Sequence, residues 1–310
     1  MNGSEQVIAT PNPLGINLSF AVKRWVEPEA WAERVVACGL ELVQFSFDLL
    51  DPLWPALLRI SLAQQHSKAA KAFGLEIHSA FVGLACYTYN NLLHPLPEGR
   101  EAAMNWWRAA IETAAELETP RIGGPVGGMS VRDNVNPASR KERLDRLVED
   151  LRTLLEYASK LGIREWLIEP TPLPRETPVS PEESVRLLEH LTGFIPVKLC
   201  IDVGHALYRP LYQEHARLEP WLALGNRIGM LHLQQTDGQS DSHWGFSTPG
   251  IVDLFKIRDL LKDGPEGIPV VLELFYPFEA ADDYVWEDVQ VSVGTIRRSW
   301  GYIKSDSDGE

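Results

Sequence analysis

The sequence contains no apolar stretch approaching the roughly 20 residues that a membrane-spanning helix needs, so it is not expected to span a membrane. Its opening, MNGSEQVIATPNP, has neither a basic region nor an apolar run, and no secretory signal is expected there. Cysteine is scarce. Cys38, Cys86 and Cys200 cannot all pair, and each sits in an apolar stretch, which reads as reduced thiols rather than a disulfide framework. Together these absences predict a cytoplasmic protein. Basic residues are outnumbered, 29 against 43 acidic ones for a formal net charge of −14, so nucleic acid and anionic membrane surfaces would be repelled. A glycine-rich dinucleotide fingerprint is missing as well: after the first apolar run the chain reads FAVKRW. Low-complexity segments and repeats of fixed period are not found.

What the sequence does have is alternation. Eight short apolar runs read as buried strands: LGINLSF from Leu14, LELVQFS from Leu40, LEIHSAF from Leu75, PRIGGPV from Pro120, REWLIEP from Arg164, PVKLCID from Pro196, RIGMLHL from Arg227 and IPVVLELF from Ile268. Between them lie stretches of helical periodicity such as EPEAWAERVVACG and SPEESVRLLEHLTG. Parallel neighbours need crossover connections of about this length, so the pattern predicts βαβ units. Ser180, followed by Pro181 and Glu183, reads as a helix start. Gly39, Gly74, Gly162 and Gly193 each follow a helical stretch and read as helix ends. With 310 residues and no second composition regime, the expected class is α/β, a (β/α)₈ TIM barrel forming a single domain over 1–310. Flexible tails are expected at about 1–13 and 305–310.

The active site of such a barrel lies at the C-terminal ends of its strands. Four polar residues close consecutive apolar runs there: Glu169 after WLI, Asp202 after KLCI, His232 after GML and Glu273 after VVL. Three carboxylates crowded at one mouth would push one another's pKa upward unless a divalent cation compensated them. Oxygen ligands with a single nitrogen suit Mn²⁺, with Mg²⁺ or Co²⁺ as alternatives. Each residue alone reads equally well as a cap or a salt-bridge partner; the set of four is what points to a metal. His205, three residues after Asp202, could orient a substrate hydroxyl. His78, near the end of the third run, could face either the pocket or the barrel wall. Arg175 and Arg209, after the fifth and sixth runs, are candidate phosphate contacts, as are the amides of Gly123-Gly124 and Gly127-Gly128, although tight loops explain those glycines as well.

The motifs Ile168-Glu169-Pro170, Asp202-Val203-Gly204-His205, Leu231-His232-Leu233 and Leu272-Glu273 resemble, in order and placement, those of the xylose-isomerase-like TIM-barrel superfamily, most closely its D-tagatose 3-epimerase branch. The resemblance spans nearly the whole chain. It implies a metal-dependent sugar or sugar-phosphate isomerase in which Glu169, Asp202, His232 and Glu273 hold the metal, and in which Glu169 and Glu273 also act as the acid/base pair. The implied reaction is C3 epimerisation of a ketose or ketose phosphate through an enediolate, with a tetrulose phosphate among the candidates. An aldose–ketose isomerase is the alternative, followed by an inosose-type dehydratase or a non-catalytic sugar-binding barrel. Where the branch carries an arginine after the histidine of the seventh run, this chain reads QQTDGQSDSHWGFS. Asp237 and His243 of that stretch could replace the contact or extend the site toward a second metal. The expected partner is a small-molecule sugar or sugar phosphate, and a homodimer or higher homo-oligomer is expected, as in related barrels.

Overall fold

The computed structural model describes residues 12–262 and 267–301. Most of the predicted tail residues lie outside the described ones. The eight predicted strands all form: β1 Leu14–Asn17, β2 Leu42–Ser46, β3 Glu76–Phe81, β4 Arg121–Gly124, β5 Glu165–Ile168, β6 Val197–Asp202, β7 Ile228–Leu233 and β8 Val270–Leu272. Each pairs in parallel with its sequence neighbours and β8 returns to β1, so the sheet closes into a barrel in the order β1 to β8. The principal helices are α1 Pro28–Ala37, α2 Ala56–Ala72, α3 Pro97–Glu116, α4 Val131–Val135, α5 Pro137–Lys160 and α6 Pro181–His190. They are followed by short α7 Val203–Ala206, α8 Arg209–Tyr212 and α9 Glu219–Leu222, and then by α10 Leu254–Lys262 and α11 Asp282–Trp300.

Local chemistry explains where the helices begin and end. The Ser180 hydroxyl accepts from the Glu183 amide at the start of α6, with Pro181 in the first turn where its missing N–H costs nothing. The Glu183 carboxylate in turn accepts from the Val179 amide, one residue before Ser180, so the cap is reciprocal but shifted by one residue. Gly39, Gly74, Gly162 and Gly193 all adopt positive φ at helix ends, a conformation only glycine enters without strain.

Inside the barrel, Leu42, Phe81, Leu167, Cys200, Met230 and Val271 form an apolar plug. A larger core between strands and helices buries Trp31, Trp106, Trp107 and Trp166. The strand beginnings are closed by charge: Glu165 bridges Arg121 at 3.3 Å and Lys198 at 3.0 Å. The plug and these salt bridges fill the strand beginnings, and the polar residues that close β5 to β8 gather at the opposite end.

Candidate active site

Glu169, Asp202, His232 and Glu273 converge there, one at the C-terminal end of each of strands β5 to β8. One ligand-type atom from each lies within 4.8 Å of every other, and all four are buried. His232 is the hub. Its Nδ1 lies 2.9 Å from Glu273 Oε2, 3.2 Å from Glu169 Oε1 and 4.0 Å from Asp202 Oδ2. Its Nε2 faces Gln44 Oε1 at 2.8 Å. Asn17 Nδ2 donates to that same oxygen, which fixes it as an acceptor and makes His232 Nε2 the donor. Nδ1 is therefore aimed at the carboxylates. Asn17 also donates to Glu273 Oε1 at 2.9 Å, so a buried amide chain from β1 and β2 orients two of the four groups.

Asp202 supplies the test of whether a cation fits. Its Oδ1 accepts from the His205 amide at 2.8 Å and from Gln234 Nε2 at 2.6 Å, whereas the equally buried Oδ2 has no hydrogen-bond partner. A buried carboxylate oxygen without a partner is costly, and here it faces two further carboxylates and an imidazole nitrogen. That donor set suits a hard or borderline divalent ion. Burial, reinforced by the charge of Glu273, pushes the Glu169 carboxyl above its ordinary range. Burial acts the same way on Glu273, but His232, with His243 and His205, outweighs it and holds Glu273 below that range.

A second cluster adjoins the first. His205, His243 and Asp202 also present ligand atoms within 4.8 Å of one another. Asp241 lies between the two imidazoles, its Oδ1 3.2 Å from His205 Nε2 and 2.9 Å from His243 Nε2. His205 Nδ1 donates to the Pro170 carbonyl, which leaves Nε2 toward Asp241. Burial disfavours the His243 cation, yet Asp241, Asp202 and Glu273 carry its pKa up to about 9. The loop that delivers Asp241 and His243 is closed by paired backbone hydrogen bonds between Gln235 and Trp244, and His243 itself is held at φ 46, an uncommon conformation for a side chain other than glycine.

Not every predicted contact comes to the mouth. Glu169, Glu273, His205 and His243 line a cavity of about 250 Å³ there. His78 lines the charged cavity at the opposite end of the barrel, beside Arg121, Glu165 and Lys198. The cause is a register shift between β2 and β3, where Val43 faces Ile77 and Gln44 faces Ser79, leaving His78 as the extra residue. Asp237 turns back on its own loop and accepts from the Gln239 and Ser240 amides. Arg175 donates to the Met129 carbonyl at 2.9 Å and is not among the cavity's lining residues. Four polar partners escape a reading of the sequence: Asp241, Asn17, Gln44 and Gln234. The one available signal was polarity inside apolar runs, LGIN and LVQFS.

A family model described as a xylose isomerase-like TIM barrel matches residues 32–290. No curated protein sequence matches the chain. Among solved structures, a candidate xylose isomerase from Rhodospirillum rubrum ATCC 11170 is 40% identical with a TM-score of 0.90, covering 93% of this chain and 99% of that one. The D-psicose 3-epimerase of Clostridium cellulolyticum H10, solved with D-tagatose, has a TM-score of 0.71 at 16% identity, with the same coverage. A Thermus thermophilus protein soaked with ZnCl₂ has a TM-score of 0.64 at 24% identity, covering 94% of this chain and 99% of that one. The last two likenesses are likenesses of fold.

Proposed function

Because the chain belongs to the xylose isomerase-like TIM-barrel family, we propose that it is a sugar isomerase that moves a carbon-bound proton, with C3 epimerisation of a ketose as its reaction. The observation that carries this reading is the buried cluster of Glu169, Asp202, His232 and Glu273 with its unpartnered Asp202 oxygen. The four side chains would hold a divalent cation, Mn²⁺ being our first choice. When bound, it would supply positive charge against the negative charge that develops on the sugar oxygens.

Glu169 and Glu273 reach the cavity from β5 and β8, on either side of the β6 and β7 residues. One takes the proton from carbon and the other returns one. Return to the same carbon from the opposite face inverts it, whereas return to the neighbouring carbon gives aldose–ketose isomerisation. Asp202 and His232 have no proton role in this scheme. Gln44 and Asn17 hold the His232 ring and the Glu273 carboxylate in place. A two-metal form of the reading rests on Asp202, His205 and His243, whose ligand atoms meet the same 4.8 Å limit.

The test is to incubate ketoses with Mn²⁺ and the protein in D₂O and to follow the carbon-bound protons by NMR. Incorporation at C3 is expected, whereas incorporation at C1 or C2 would indicate the isomerase. Glu169→Gln and Glu273→Gln should each abolish exchange. Full rates in both would remove them from the acid/base role, and no exchange with any ketose would remove the reading itself.

A further inference from the structure

The cavity at the barrel mouth is two-sided. The ends of β5 to β8 and the loop after β7 supply its acids and imidazoles, while the loops after β3, β4 and β5, with Phe275 after β8, supply Val82, Leu84, Pro125, Pro172 and Leu173. The apolar wall continues outward, since Leu84 and Leu173 are 55% and 38% exposed. Among the described residues that line the cavity there is no Lys, Arg, Asn, Gln or Ser. Of its three hydroxyl residues, Thr171 and Tyr87 both donate to the carboxylate of Glu176, and Tyr208 follows β6 on the side of the imidazoles. The basic candidates for a phosphate do not reach it: Arg175 is held on the Met129 carbonyl, and Arg209 lies outside the lining.

A ligand whose reacting carbons sit by Glu169 and Glu273 must lay its remaining carbons along this wall. A hydroxyl buried there gives up water and finds only the Thr171 and Tyr87 hydroxyls, both committed to Glu176, which is unfavourable. A phosphate there would meet Glu169, Glu273 and Asp241, against which the cavity offers only the His205 and His243 imidazoles, both already turned to Asp241. A methyl or methylene in the same place is buried against carbon at a gain. From this division we infer that the substrate is an unphosphorylated ketose deoxygenated at the end remote from the reacting carbons, such as a 6-deoxyketohexose. This rests on the sugar-isomerase reading above and specifies its substrate class.

The test compares matched triplets, each a ketohexose with its 6-deoxy and 6-phosphate derivatives, across the D- and L-stereoisomers, using Mn²⁺-loaded protein and deuterium incorporation as the rate. The 6-deoxy sugar should exceed its parent by about tenfold in kcat/KM, the scale on which an apolar pocket discriminates against an added hydroxyl. The 6-phosphate should fall at least a hundredfold below the parent. Leu173→Ser should shrink the 6-deoxy preference, and Leu173→Arg should raise turnover of the 6-phosphate, both at a partly exposed position where folding is not at stake. Equal or better turnover of the parent or of the phosphate overturns the inference and leaves the isomerase reading standing, as does a preference that neither Leu173 variant changes. Absence of exchange with every ketose ends both.

Discussion

His66 shows how a single buried side chain links stability to pH. It sits on α2 under the barrel wall, stacked on Trp31, whose Nε1–H donates to His66 Nδ1 at 3.0 Å. Burial lowers its pKa to about 4 from 6.5. As pH falls below about 6.5 the unfolded chain takes a proton that the folded chain refuses, so stability is lost between about pH 6.5 and 4 and levels off below that. At pH 5 the loss from this one group is about 2 kcal/mol relative to pH 8. His66→Gln, whose amide oxygen can still accept from Trp31, should flatten the dependence of denaturant midpoint on pH across that window. An unchanged slope would show that His66 does not stay neutral. At the catalytic end, residues were legible in the sequence where each closed an apolar run, as Glu169, Asp202, His232 and Glu273 do. Asp241 and Gln44 were not, because their roles arise from distance in space: Asp241 meets His205, a residue of another strand end, and Gln44 meets His232 across the barrel.

Among the elements, the loop after β7 depends on α11. Asp288 of that helix accepts from the Tyr276 hydroxyl at 2.8 Å and from the Ser247 hydroxyl, and its carboxylate packs against Gly245, where a Cβ would collide with it. Ser292 Oγ accepts from the Phe246 amide at 2.7 Å. These bonds hold the base of the loop that carries Asp241 and His243. Asp288→Ala should cost about 1–3 kcal/mol through the donors it leaves unpaired. It should also raise amide hydrogen exchange in residues 240–247 while leaving β5 and β6 protected; equal exchange in the two proteins would mean that the loop holds itself. Strand and helix positions were readable because period and capping residues act over a few neighbours. The β2–β3 register shift was not: alternation in LEIHSAF gives no sign of the extra residue, and so the sequence alone leaves His78 a candidate for the pocket when it belongs to the opposite end of the barrel.

At the scale of the whole molecule, the closed order β1 to β8 was implied by eight βα units and is what gathers residues 63 positions apart, such as Glu169 and His232, within 3.2 Å. Among the described residues no helix is long and apolar enough to cross a membrane. Every described strand belongs to the one barrel, and we propose that the chain folds as a single domain. A ligand that binds only the folded state stabilises it as a whole, so a cation at the mouth should be visible in global unfolding. The most direct measurement is therefore a titration of chelator-treated protein with Mn²⁺, followed by calorimetry and by Tm, for the wild type and for Asp202→Asn and His232→Gln. The expected result is saturable uptake with a rise of Tm in the wild type, weakened at least tenfold in either variant. Wild-type protein that takes up no cation, or variants that bind it as tightly as the wild type, would contradict a metal centre built on these four side chains.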